Sequence, residues 1–86
     1  MQWQAIRQHY PHQWLLLEAL KAHSEGGKRI LDQLAVLETY TDSTTALQAY
    51  KILHGQAPSR ELYVFHTSRD KLDIEERRWF GIRSRE

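Results

Sequence analysis

The sequence predicts an α+β domain in which a small antiparallel sheet carries one long helix, with a short helix at the N-terminal end. Two observations lead to this class. A Gly26-Gly27 pair separates two runs of strand-like apolar alternation, and a cluster of capping residues at 41–44 precedes an apolar pattern of helical period. Because 86 residues suffice for one hydrophobic core, we expect a single domain over residues 1–86.

The first element is predicted as a helix over residues 2–9. Trp3, Ile6 and Tyr10 fall at helical spacing. Pro11 disfavours helical geometry at the residue before it, so the helix should end at His9.

Residues 13–40 allow two interpretations. The turn 24–28 contains Gly26 and Gly27, which adopt positive φ readily, and the residues after it alternate between apolar and mostly polar positions. This favours a β-hairpin that pairs Gln13–His23 with Lys28–Tyr40. The alternative is a helix hairpin that pairs Trp14–His23 with Arg29–Glu38, because both segments are rich in helix-forming residues.

A second helix is predicted after Tyr40. Asp42 and its Ser and Thr neighbours are N-cap candidates, and the apolar residues that follow recur at helical spacing up to Gly55, which we expect at the C′ position. After a loop at 56–59, the β-prone run Leu62–Phe65 predicts a strand packed on this helix.

The C-terminal part of the chain is ambiguous. One strand face would contain four apolar residues, namely Leu72, Ile74, Phe80 and Ile82. The acidic residues at 73–76 followed by Arg77 and Arg78 also match the charge order that a helix dipole favours. We prefer the strand.

The order of Tyr10-Pro11-x-x-Trp14, a glycine-turn hairpin, an Asp-capped helix and a strand resembles a group of small uncharacterised bacterial domains that open with a Tyr-Pro-x-x-Trp motif. The resemblance covers about residues 10–65 and implies a fold but no activity. The segment through Arg83 lies outside it.

Composition limits the functional classes. The chain has no cysteine, which excludes disulfides and thiolate chemistry and is typical of a reducing cytoplasm. The first ten residues lack the long apolar run of a signal peptide or membrane span. A formal net charge of +1 gives almost no field to attract nucleic acid or an acidic membrane.

No residue pattern predicts catalysis, a metal or a cofactor. The histidines lack a metal-binding spacing, since Pro11 interrupts the geometry between His9 and His12, and His54 is expected at a helix C-terminus. Ser43, Thr44 and Thr67 lie in no nucleophile motif. Asp42 is explained by capping, and the carboxylates Glu75 and Glu76 should stay ionised beside two arginines. We therefore expect a protein that is not an enzyme.

The best partner-binding candidates lie in the C-terminal segment: Arg77, Arg78, Trp79, Phe80 and Arg83. Guanidinium groups beside aromatic rings suit a nucleic acid, although nearby acidic residues weaken the field. Nine aromatic residues in so small a chain exceed what its core can enclose, which favours a protein interface and self-association as a homodimer. A helix hairpin at 14–38 would instead suit an all-helical regulatory or antitoxin-like protein.

Overall fold

The computed structural model describes residues 1–76 and has the α+β class that the sequence predicts. Its helices are α1 (Trp3–His9) and α2 (Ser43–Gln56), and its strands are β1 (Trp14–Glu25), β2 (Lys28–Tyr40), β3 (Leu62–His66) and β4 (Ile74–Glu75). The strands form one antiparallel sheet in the order β3-β1-β2-β4. The predicted long helix, α2, has 14 residues, so the description as long is not supported.

The β-hairpin prediction is confirmed, and the helix hairpin is wrong. Strands β1 and β2 pair from Glu25↔Lys28 at the turn to Trp14↔Tyr40 at the far end. Gly26 and Gly27 adopt φ of +59° and +77°, the left-handed conformation that a two-residue hairpin turn requires and that glycine adopts without steric cost. Turn chemistry therefore outweighs the helix propensity of the flanking residues.

The hairpin is longer than anything that pairs with it among residues 1–76. Strand β3 pairs with β1 only from Trp14 to Glu18, and β4 pairs with β2 only at Lys28 and Arg29. The β1–β2 ladder also contains register shifts next to Leu17 and on both sides of Lys21. Such bulges bend the strands and interrupt the simple apolar alternation.

Helix α1 covers one face of the sheet and forms the core with it. Trp3 and Ile6 pack against four buried sheet residues, which are Leu15, Leu17, Leu34 and Phe65. The helix begins one residue later than predicted, at Trp3, with Gln2 as its N-cap. Before it, the Met1 amine donates to the Leu34 carbonyl at 2.8 Å, and the Leu34 amide donates to the Met1 carbonyl at 2.8 Å.

Residues 67–73 return along α1 from β3 towards β4. The Trp3 indole N–H donates to the Arg69 carbonyl at 2.8 Å, and the Arg7 Nε donates to the Thr67 carbonyl at 2.9 Å. The predicted C-terminal strand is present only as Ile74–Glu75. Leu72 packs on the core outside any strand, and Phe80 and Ile82 lie outside the described residues.

Helix α2 lies over the opposite face of the sheet, where its Ala46 is fully buried. Asp42 is the N-cap, as predicted: its side chain accepts hydrogen bonds from the Thr45 amide at 2.8 Å and the Thr45 hydroxyl at 3.0 Å. The prediction of Gly55 as C′ is wrong, because the helix continues to Gln56 and the Ala57 amide donates to the Leu53 carbonyl at 2.9 Å. Within residues 1–76, neither helix has the length and apolar character needed to cross a membrane.

Candidate functional site

The described part of the chain ends at the tip of the hairpin. The Glu76 amide donates to the Gly27 carbonyl at 2.8 Å, and the Ser24 hydroxyl donates to a Glu76 carboxylate oxygen at 2.7 Å. The predicted partner-binding residues Arg77, Arg78, Trp79, Phe80 and Arg83 follow immediately and lie outside the described residues. The fold therefore fixes where this segment starts.

Next to that point, one side of the hairpin is left uncovered by the other elements of residues 1–76. Helix α2 begins just after Tyr40 and its 14 residues span about 21 Å, whereas the 12 residues of β1 span about 40 Å. The helix therefore covers the half of β1 near Trp14 and stops short of the half near the turn.

The register shows which side chains occupy this uncovered side. Ala19 packs on the α1 core, and Ala22 pairs with Leu31, which packs on the same core. Leu20 and Lys21 lie between Ala19 and Ala22 in the strand, so their side chains lie on the side of the hairpin away from α1. By the same alternation His23, Ile30 and Asp32 join them. We call these five residues the distal hairpin face: Leu20, Lys21, His23, Ile30 and Asp32.

The distal hairpin face has an apolar part. Leu20 is 62% exposed and Ile30 is 38% exposed, whereas Leu17 and Leu34 on the opposite side of the same strands are almost fully buried. Exposed aliphatic side chains on one side of a sheet are typical of a surface that another element or molecule covers.

A charge cluster centred on His23 borders this apolar part. Its Nδ1 lies 2.7 Å from an Asp32 carboxylate oxygen, and its Nε2 lies 3.1 Å from a Glu25 carboxylate oxygen. These contacts raise the pKa of His23 above its usual value, with the hydrogen bond to Asp32 as the largest cause and that to Glu25 next. Because both ring nitrogens face carboxylates, the protonated ring, which donates from both, is favoured.

The opposite side of the hairpin is closed by a second polar cluster. The Arg29 guanidinium makes a bidentate contact to Glu61, at 2.9 and 2.8 Å, and the Tyr63 hydroxyl donates to the same carboxylate at 2.6 Å. The Arg29 hydrogen bond lowers the pKa of Glu61, whereas a general base that works near neutrality needs a raised one. This cluster ties β2 to the start of β3 across β1.

The other hydroxyl and carboxylate candidates serve the fold. Thr67 is buried, and its hydroxyl accepts a hydrogen bond from the Gln13 amide at 3.1 Å. Asp42 lines a cavity of about 300 Å³ at the start of α2, but its carboxylate is committed to Thr45. The Thr45 amide and hydroxyl hydrogen bonds lower the pKa of Asp42, as expected for a capping carboxylate.

The remaining histidines are dispersed. His54 lies in the last turn of α2, as predicted, and stacks on Tyr50 with ring centroids 5.5 Å apart. The His66 ring meets Trp14 edge-on at 5.1 Å, and the His9 ring lies 6.4 Å from Tyr10. Across residues 1–76, no three His, Cys, Asp or Glu side chains are grouped as metal ligands.

The predicted surplus of exposed aromatic rings is not found in the part of the chain that the structure describes. Trp3 and Phe65 are buried, and the other aromatic residues up to Glu76 are half-buried. The exposed large apolar side chains are aliphatic. The sequence pattern missed the distal hairpin face, and the signal that could have found it is length, because the hairpin arms are too long for the predicted helix to cover.

Together these features define a small α+β domain with a long hairpin whose half near the turn is covered on one side only by residues 1–76. No family model, curated protein or solved structure matches the chain. The resemblance to the Tyr-Pro-x-x-Trp domains therefore stays a prediction.

Proposed function

We propose that this chain is a small non-catalytic interaction module that self-associates as a homodimer. The binding residues are those of the C-terminal segment: Arg77, Arg78, Trp79, Phe80 and Arg83. The observation that carries this proposal is the hydrogen bond from the Glu76 amide to the Gly27 carbonyl. It starts the segment at the tip of the hairpin that also carries the exposed side chains of Leu20 and Ile30. An aromatic segment that begins on a hairpin with exposed aliphatic side chains favours a protein interface.

The charge distribution favours a protein partner over a nucleic acid. Within residues 1–76, acidic residues outnumber Lys and Arg, and several cations are held by carboxylates, in the pairs Arg7–Asp70, Lys28–Asp73, Arg29–Glu61 and Arg60–Glu18. Paired cations attract phosphate weakly because the carboxylate cancels their field. The arginines after Glu76 would then find complementary charge on a second copy of this acidic domain.

The proposal includes the cytoplasm as the compartment. A chain without cysteine gains nothing from an oxidising environment, so a reducing one suffices for its stability.

Light scattering on the full chain tests the proposal. At about 100 μM, above the micromolar Kd of a modest interface, the expected mass is twice that of the 10.2 kDa chain. Trp79→Ala should shift the mass towards the monomer, because removal of a buried aromatic side chain weakens an interface more than most substitutions do. Ile52→Ala is the matched control, since Ile52 is 63% exposed and belongs to α2 rather than to the hairpin.

Two results would overturn the proposal. One is a wild-type chain that remains monomeric at this concentration. The other is binding of single-stranded RNA with an affinity that falls steeply with salt, which would indicate a nucleic-acid-binding protein that uses the same arginines.

A further inference from the structure

We propose that the second copy binds on the distal hairpin face, so that two hairpins pack face to face about a two-fold axis. This inference rests on the proposed self-association and names its second surface. The contact would place Leu20 and Ile30 of one copy against Leu20 and Ile30 of the other. Such an isologous arrangement is the commonest closed solution for two identical chains.

The charges on this face are arranged to complement themselves. Lys21 forms no ion pair with any residue up to Glu76. The cluster of His23 with Asp32 and Glu25 has two carboxylates against one imidazole, so its net charge is negative whether or not the ring is protonated. A two-fold axis brings Lys21 of each copy towards the acidic cluster of the other, so the dimer contains two such attractive contacts.

The same residues disfavour the other route to self-association, which is strand pairing at the edge of β1. Within residues 1–76, no strand pairs with this edge beyond Ala19, and an open edge ordinarily invites another strand. However, the β1–β2 ladder shifts register on both sides of Lys21, with Leu20 as the extra residue on β1 and Asp32 as the extra residue on β2, and bulges and lysine are devices that block edge pairing. The side-chain surface of the hairpin, rather than its backbone edge, is left for the partner.

The first test is the pair Leu20→Asp and Ile52→Asp, measured as the dimer dissociation constant by sedimentation or light scattering. Leu20 and Ile52 have nearly equal exposure, 62% and 63%, so the two substitutions add the same charge at similarly exposed positions. Leu20→Asp should raise the dissociation constant at least about tenfold, as expected for the centre of an interface, and Ile52→Asp should leave it unchanged. Circular dichroism checks that both variants keep the fold.

The second test is a charge exchange that also reports the geometry. Lys21→Glu and Asp32→Lys should each weaken the homodimer, because each faces like charge across the axis twice. In a heterodimer of the two variants, one contact joins the two substituted residues, which again have opposite charges. The other contact joins the unchanged Lys21 and Asp32, so the heterodimer should recover most of the wild-type affinity. No other pairing of surfaces predicts this rescue.

The outcomes separate this inference from the proposed function. If the wild-type chain is monomeric, both are wrong. If it is a dimer that Trp79→Ala dissociates while Leu20→Asp does not, or if the charge-exchanged variants fail to rescue each other, self-association stands and the distal hairpin face is not its surface.

Discussion

Glycine-to-alanine substitution should change the stability of this protein in opposite directions at different positions. Gly26 and Gly27 have φ of +59° and +77°, and no atom lies within 4 Å of an added Cβ at either position. The expected cost is therefore purely conformational, about 1–2 kcal/mol per residue for the left-handed region. Reduced entropy of the unfolded chain offsets about 0.4–1 kcal/mol, which leaves a net loss of about 1 kcal/mol at each site.

Gly55 provides the matched control for this prediction. It lies inside α2, one residue before the helix ends, and an added Cβ there also meets nothing within 4 Å. Without a left-handed penalty only the entropic gain remains, so Gly55→Ala should stabilise the fold by up to about 1 kcal/mol.

Thermal and urea unfolding followed by circular dichroism measure both effects. For a chain of this size each 1 kcal/mol corresponds to about 4–8 °C in Tm, so the melting curves should shift in opposite directions. An unchanged or raised Tm for Gly27→Ala would contradict the hairpin turn. A lowered Tm for Gly55→Ala would restore the sequence-based prediction of a left-handed C′ residue.

Two further predictions concern the charged groups. Asp42→Ala should lower Tm by a few degrees, because the Thr45 amide loses its acceptor. Asp42→Asn should largely preserve Tm, because Asn is also a good N-cap residue. Loss of self-association at unchanged Tm would mean that Asp42 has a role beyond capping. His23 has a raised pKa in the folded state, so its contribution to stability is fully present below its unfolded pKa of about 6.5 and is lost as pH rises through the folded pKa. The stability difference between wild type and His23→Gln should therefore be larger at acidic than at alkaline pH, and a difference independent of pH would refute the assigned contacts with Asp32 and Glu25.

The sequence by itself determined the elements whose causes are local. Two adjacent glycines specify a hairpin turn, Asp42 specifies the start of a helix, and Pro11 limits the helix before it. Each of these effects acts within a few residues, so it can be recognised without knowing what lies nearby in space. Gly55 shows the limit of this reasoning, since a glycine is permitted at C′ but also tolerated inside a helix.

Only the tertiary structure decided which surfaces are covered. Among the residues that the structure describes, the lengths of β1 and α2 leave the distal hairpin face open, and the short β4 brings Glu76 to the hairpin tip. The contact of Arg29 with Glu61 joins residues that are 32 positions apart, and no local pattern indicates it. The side of the sheet on which the side chains around Lys21 lie could not be predicted either. A bulge changes which side a residue faces, and it arises from the pairing with the neighbouring strand rather than from the sequence of one strand alone.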